Sequence, residues 1–145
     1  MKALGHHILL ELSQCNPKVL CSLTKVREYI VEAAKRANTQ IKEVALHKFT
    51  PQGVSGVVVI AESHLSIHTW PEFQYAAIDI YTCGESADPW KACEFLAEVF
   101  QARQIVQTVV ERGIETSKGR YSHLTVSSAY SGNSSTDAQG MAEAV

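Results

Sequence analysis

Only two stretches of this chain repeat apolar residues at helical spacing, while five others read as strands, and that imbalance limits how a sheet can be covered. His6-His7-Ile8-Leu9-Leu10-Glu11-Leu12 reads as the first strand. Asn16-Pro17 is a cap followed by a first-turn proline, after which Val19, Leu23, Val26, Ile30, Ala33 and Ala37 form one stripe. Lys25, Glu28, Glu32 and Lys35 fall off that stripe, so the spacing predicts one amphipathic helix to about Ala37. Ile41 to Phe49 and the β-branched run Val57-Val58-Val59-Ile60 are strands, separated by the turn Thr50-Pro51-Gln52-Gly53. Ser63 to Trp70 is polar and aromatic, closed by Pro71, and Tyr75 to Tyr81 is β-like up to Cys83-Gly84. Asp88-Pro89 repeats the cap signal before Cys93, Leu96, Ala97 and Phe100, a helix face to about Ala102, and Gln104 to Val110 closes the pattern as a last strand.

Two helices cannot cover both faces of a sheet that size. The expected fold class is α+β, an antiparallel sheet with two helices on one face, a two-layer sandwich whose other face is covered by dimerisation. The chain has 145 residues, about one ordinary domain, and 46% hydrophobic residues are enough for a real core. A formal charge of −2, with no local cluster of Lys or Arg, argues against nucleic acid as a partner. No apolar run suits a membrane span, and the N-terminal run is too short and too interrupted for a secretory signal. Cys15, Cys21, Cys83 and Cys93 make no C-x-x-C pair, so reduced thiols in a cytoplasmic protein are expected, and zinc is not. Ser127 to Val145 is rich in Ser, Gly and Ala, and a disordered tail is expected there.

The concentration of chemistry lies in Gly53 to Glu72, where two His, three Ser and two Glu surround an apolar strand. Burying so many polar groups is costly unless each is paired. Taken singly, each has an ordinary reading: Ser63 a strand or turn serine, His68 a satisfied histidine, Cys83 a small buried hydrophobe, Phe49 core, Glu72 a solvated carboxylate. His64 and His68 would share a metal-binding face on a helix, but Thr69-Trp70-Pro71 disfavours helix. His6-His7 is a strand-edge pair without an assigned role, and Cys15, Cys21 and Cys93 are structural.

Glu62-Ser63-His64-Leu65-Ser66-Ile67-His68-Thr69-Trp70-Pro71-Glu72 resembles the self-cleavage segment of bacterial and archaeal S-adenosylmethionine decarboxylase proenzymes. His47 to Gly56, Ala76 to Gly84 and Asp88-Pro89-Trp90-Lys91-Ala92 are similar to the same family. The resemblance runs from about Lys2 to Gly113, giving a domain over 1–113 and a variable, largely disordered stretch over 114–145. It implies a self-processing decarboxylase of S-adenosylmethionine that serves spermidine synthesis and carries a covalent pyruvoyl group derived from Ser63, with neither metal nor pyridoxal phosphate. Ser63 would attack the carbonyl of Glu62, and ester formation and β-elimination would leave a β chain of residues 1–62 and an α chain from residue 63. By the same resemblance Ser55 stabilises the processing oxyanion, and His68 takes the Cα proton of residue 63. The pyruvoyl ketone would hold the substrate as a Schiff base, with Cys83 as the proton donor in turnover. Phe49 would stack on the adenine and Glu72 accept from the ribose hydroxyls.

Two other readings stay open at this stage: the same machinery acting on ornithine or arginine, and a non-catalytic homodimeric module of the same fold. The residues also pose a geometric difficulty. Ser63 and His68 are five apart, which on a straight strand points them to opposite faces. Processing thus needs a bend or bulge near residues 62–66, or an irregular cleavage loop.

Overall fold

The structure is a computed structural model that describes residues 2–132. β1 (Gly5–Ser13) leads into α1 (Pro17–Leu20) and α2 (Leu23–Arg36). Next come β2 (Ile41–Lys48), β3 (Val54–Ile60), β4 (Ser63–Trp70) and β5 (Tyr75–Cys83), with a single 3-10 turn at Pro71–Phe73 between the last two. α3 (Pro89–Val99), β6 (Gln104–Ser117) and β7 (Arg120–Ser131) complete the chain. The strands form one seven-stranded sheet in the order β2-β3-β4-β5-β1-β6-β7, with every neighbouring pair antiparallel.

The helix expected from Pro17 to Ala37 is two helices, and the reason is local. Asn16 caps the first, its side chain accepting from Lys18 N–H at 3.0 Å. Ser22 then takes extended dihedrals and accepts from Lys25 N–H at 3.2 Å, which starts a second helix in a new direction. Asp88 makes no side-chain cap to α3; its backbone N–H instead donates to Ala37 O at 2.8 Å, tying the start of α3 to the end of α2.

Period-two alternation sorts the strands into two faces. Ile8, Leu10 and Leu12, Val54 and Val58, Leu65 and Ile67, and Ile78 and Ile80 are buried under the helices, against Val26, Ile30 and Ala33 of α2 and Leu96 of α3. Their neighbours in sequence form a second face that no helix covers. It carries Leu9 on β1, Val59 on β3, His64, Ser66, His68 and Trp70 on β4, and Tyr75, Asp79 and Tyr81 on β5. The expected one-sided arrangement is therefore the one observed. Among the described residues, no helix is long and apolar enough to cross a membrane.

The expectation for residues 114–145 is corrected over the part that is described. β6 runs to Ser117 rather than stopping near Val110, so the boundary expected at 113 falls inside a strand. A turn at Lys118-Gly119, where Gly119 has a φ of +76°, returns the chain as β7, which extends through Ser127 to Ser131. β7 is an edge strand with nearly every residue exposed, so it has no need of large apolar groups, and composition alone misread it. The rest of the expected disordered tail, residues 133–145, lies outside the described residues.

Phe100 closes the core beneath α3. It is fully buried, and its ring meets Tyr29 edge to face at 5.7 Å. Phe100→Ala is expected to lower the unfolding free energy by about 3–5 kcal/mol in urea titrations, the usual cost of an unfilled aromatic site. A loss below about 1 kcal/mol would mean that the site collapses around the smaller residue.

Candidate active site

β3 and β4 form a hairpin that Ala61 and Glu62 close, with Ile60 paired to Ser63 across the turn. Glu62 sits at φ +71°, a left-handed conformation that costs a residue with a Cβ roughly 1–3 kcal/mol. Its carbonyl oxygen accepts from the Cys83 thiol at 3.5 Å. The next residue, Ser63, has a buried hydroxyl with no hydrogen-bond partner, a rare condition for a buried oxygen. Cys83 ends β5 beside Gly5, where a Cβ would stand 3.0 Å from the thiol sulfur and 2.6 Å from the Tyr81 ring. Gly5 thus lets β1 approach the thiol closely. A cavity of about 280 Å³ opens on this turn, lined by Asn38, Gln40, Ile60, Glu62, Cys83 and Ala87.

A second group gathers at the other end of the same hairpin. Ser55 and His68 are directly paired across β3 and β4, and Ser55 Oγ lies 2.7 Å from His68 Nδ1. Phe49 follows β2, its N–H donating to Gly53 O at 2.8 Å, and the residue is 47% exposed, not core. Glu72 lies in the 3-10 turn after β4. Phe49, Ser55, His68 and Glu72 line one cavity of about 310 Å³, together with Trp70. The buried Thr69 braces this end: its hydroxyl accepts from Val54 N–H and donates to Leu20 O, both at 2.9 Å.

The seven sequence-derived residues therefore form two half-sites. Glu62, Ser63 and Cys83 are together, and Phe49, Ser55, His68 and Glu72 are together. β4 pairs without a break from Ser63 to His68, so the bend considered from sequence is absent from the strand and the only irregularity is the tight turn before it. Five residues of strand separate the halves by roughly 16 Å. Ser63 points toward the helices, and His68 toward the uncovered face.

A polar belt crosses the uncovered face between the two ends. His7 Nε2 is 3.1 Å from Asp79 Oδ1, and Ser66 Oγ donates to Asp79 Oδ2 at 3.0 Å. Arg112 Nη1 stands 3.4 Å from His7 Nδ1, and its guanidinium lies 4.8 Å from the Tyr81 ring centroid. An imidazole that donates through Nε2 to Asp79 and accepts at Nδ1 from Arg112 satisfies both partners. Partial burial, then His7 and Arg112, push the His64 pKa down, while Asp79 opposes them. Sequence reasoning left His7 and Asp79 without roles, although a carboxylate inside the apolar run Ile78-Asp79-Ile80 was the available signal. Among the described residues no cluster of three His, Cys, Asp or Glu could hold a metal ion.

The sequence profile of the family described as S-adenosylmethionine decarboxylase matches residues 6–113. The S-adenosylmethionine decarboxylase proenzyme of Moorella thermoacetica is 54% identical over 114 residues, covering 79% of this chain and 91% of that protein. The corresponding proenzyme of Pyrococcus abyssi is 49% identical over 123 residues, 85% of this chain and 88% of that protein. The crystal structure of the adenosylmethionine decarboxylase from Aquifex aeolicus superposes with a TM-score of 0.75 at 36% identity, covering 83% of this chain and all of that one. β7 lies beyond the residues that the family profile matches.

The four thiols divide sharply. Burial pushes both Cys15 and Cys93 up to about 12, whereas Cys83 and Cys21 are only partly buried. A raised pKa keeps the unreactive protonated form, so at pH 8 only about one part in ten thousand of Cys15 or Cys93 is thiolate. Iodoacetamide at that pH is expected to modify Cys83 and Cys21 in the folded protein and to reach Cys15 and Cys93 only after denaturation. Peptide mass mapping checks this, and early labelling of Cys93 would contradict it.

Proposed function

Because the chain belongs to the S-adenosylmethionine decarboxylase family, we propose that it is a self-processing, pyruvoyl-dependent enzyme that releases CO₂ from S-adenosylmethionine. The decarboxylated product serves spermidine synthesis as an aminopropyl donor. The observation that carries the reading is the Glu62–Ser63 turn, with its left-handed Glu62, its unpartnered hydroxyl and a thiol on the carbonyl. We place the enzyme in the cytoplasm, where four free cysteines persist in reduced form.

Processing begins with Ser63 Oγ on the Glu62 carbonyl carbon. Glu62, which supplies that carbonyl, holds a left-handed φ in the tight turn just before Ser63. As the tetrahedral centre forms, negative charge develops on the oxygen that already accepts from Cys83, and Ser55 is assigned as a further donor. Collapse breaks the C–N bond: the nitrogen takes up the hydroxyl proton and stays on residue 63 as a free amine, and the Glu62 acyl group is left as an ester on Oγ. His68 then takes the Cα proton of residue 63, its orientation set by the contact to Ser55. Elimination releases Glu62 as a new carboxyl end, and the dehydroalanine takes up water and loses the α-nitrogen of residue 63 as ammonia, which leaves a ketone. That ketone supplies the electron sink for decarboxylation. Cys83, held at the same point, is assigned the return of a proton to the substrate after CO₂ departs. Phe49 offers a ring face to the adenine and Glu72 a carboxylate to the ribose, both in one cavity beside His68.

This division of labour calls for two copies of the chain. One chain holds the scissile bond at one end of β4 and the proposed base at the other. A homodimer formed through the uncovered face, about a two-fold axis crossing near the middle of β4, sets each Ser63 end against the partner's His68 end. Leu9, Val59 and Trp70 support it, since they are 38%, 40% and 38% exposed on a face that no helix covers.

On a denaturing gel the purified protein is expected as two fragments, the larger with a blocked end that carbonyl reagents trap, and Ser63→Ala as one uncut chain. Cys83→Ala is expected still to cut, more slowly because one oxyanion donor is gone, and to release CO₂ about 100-fold more slowly or worse. Release from S-adenosylmethionine but from neither ornithine nor arginine fixes the substrate. Complementation tests the shared site. Ser63→Ala and His68→Ala are each expected to stay uncut alone, but co-expressed they should yield cut His68→Ala chains, because its intact serine meets the other copy's histidine. If neither chain is cut in the mixture, the site is not shared between copies.

A further inference from the structure

We propose that His47 is a positioning residue for substrate binding, holding the Phe49 ring in the orientation that receives the purine. The inference rests on the reading of Phe49 given above and adds a residue to it.

His47 is next to last in β2 and leaves the sheet on the uncovered face, and Phe49 follows directly after the strand's last residue. The backbone of Phe49 is anchored by its N–H to Gly53 O at 2.8 Å, but the residue is 47% exposed and stands outside the core. An exposed phenylalanine on a loop samples several rotamers, and each must be given up when a flat ligand binds. The imidazole of His47 limits that freedom. Its centroid is 4.7 Å from the Phe49 centroid with the planes 70° apart, an edge-to-face pair. In that geometry the imidazole braces the ring and leaves phenyl surface for a second, stacked aromatic group.

His47 is itself held in place. It is the register partner of Ser55, which in turn pairs with His68, so these three residues form one row across β2, β3 and β4. The row sets the ring contact at a fixed distance from the Ser55–His68 pair. His47 touches neither the scissile bond nor Cys83, so it bears on binding and not on the cut.

The test measures KM, kcat and extent of self-cleavage for His47→Ala, His47→Phe, Phe49→Ala and the double alanine variant. His47→Ala is expected to cut fully, to keep kcat within about twofold and to raise KM about three- to tenfold, the range an edge-to-face ring pair supports. His47→Phe, which restores a ring without the imidazole nitrogens, should bring KM back to within about twofold. Phe49→Ala should raise KM at least as far, and adding His47→Ala to it should change nothing further, since the two act as a unit. If Phe49→Ala leaves KM unchanged, the adenine reading of Phe49 fails and this inference with it. If Phe49→Ala raises KM and His47→Ala does not, or if His47→Phe fails to restore it, the inference alone is overturned.

Discussion

The unbroken pairing of β3 with β4 is the constraint on which the rest depends. It runs from the Ile60–Ser63 pair to the Ser55–His68 pair, and it fixes both the face and the end of the sheet at which each reactive group stands. A slip of one residue would exchange the faces, sending Leu65 and Ile67 into solvent and His64 and His68 into the core. The buried row beneath α2 therefore holds the chemistry in register. Thr69 adds a second lock, joining β3 and α1 through one buried hydroxyl.

The uncovered face carries charge as well as apolar surface, and charges are costly to enclose. An ion left without a partner in a covered interface loses several kcal/mol of hydration. Here the charges are matched before anything covers them. Arg112, His7, Asp79 and Ser66 form a chain of polar contacts within the same protomer. A face prepared in this way can be enclosed with part of its polar groups already paired, and the rings of Tyr81, His64 and Trp70 around them add apolar area.

Much of the fold was legible because its signals are local. Asn16-Pro17 and Asp88-Pro89 marked two helix starts, and the apolar stripe of α2 needed nothing from the rest of the molecule. The break at Ser22 was missed because the stripe continues across it, and only the serine cap betrays the change of direction. β4 looked irregular because one of its two faces is built from His64, Ser66 and His68, which masked the alternation of Leu65, Ile67 and Thr69. β7 was missed because an edge strand needs a hydrogen-bonding neighbour more than it needs burial. In the site, parity alone separated Ser63 from His68. What it could not give was the third dimension: that Cys83 meets Glu62, that Phe49 and Glu72 share a cavity with His68, and that His7 reaches Asp79 across β1 and β5.

The place of β1 in the sheet bears on what a break after Glu62 does to the molecule. β1, β2 and β3 precede that bond, yet the strand order seats β1 between β5 and β6, which follow it, while β3 lies along β4. The two pieces are therefore interlaced like the fingers of clasped hands, and neither leaves without tearing ladder bonds on both flanks of β1. The uncut precursor must assemble this weave first, as a single thread. Once nicked and then denatured, the pieces would have to find each other by diffusion, so recovery would depend on concentration, and the mature protein would owe its persistence to never coming apart.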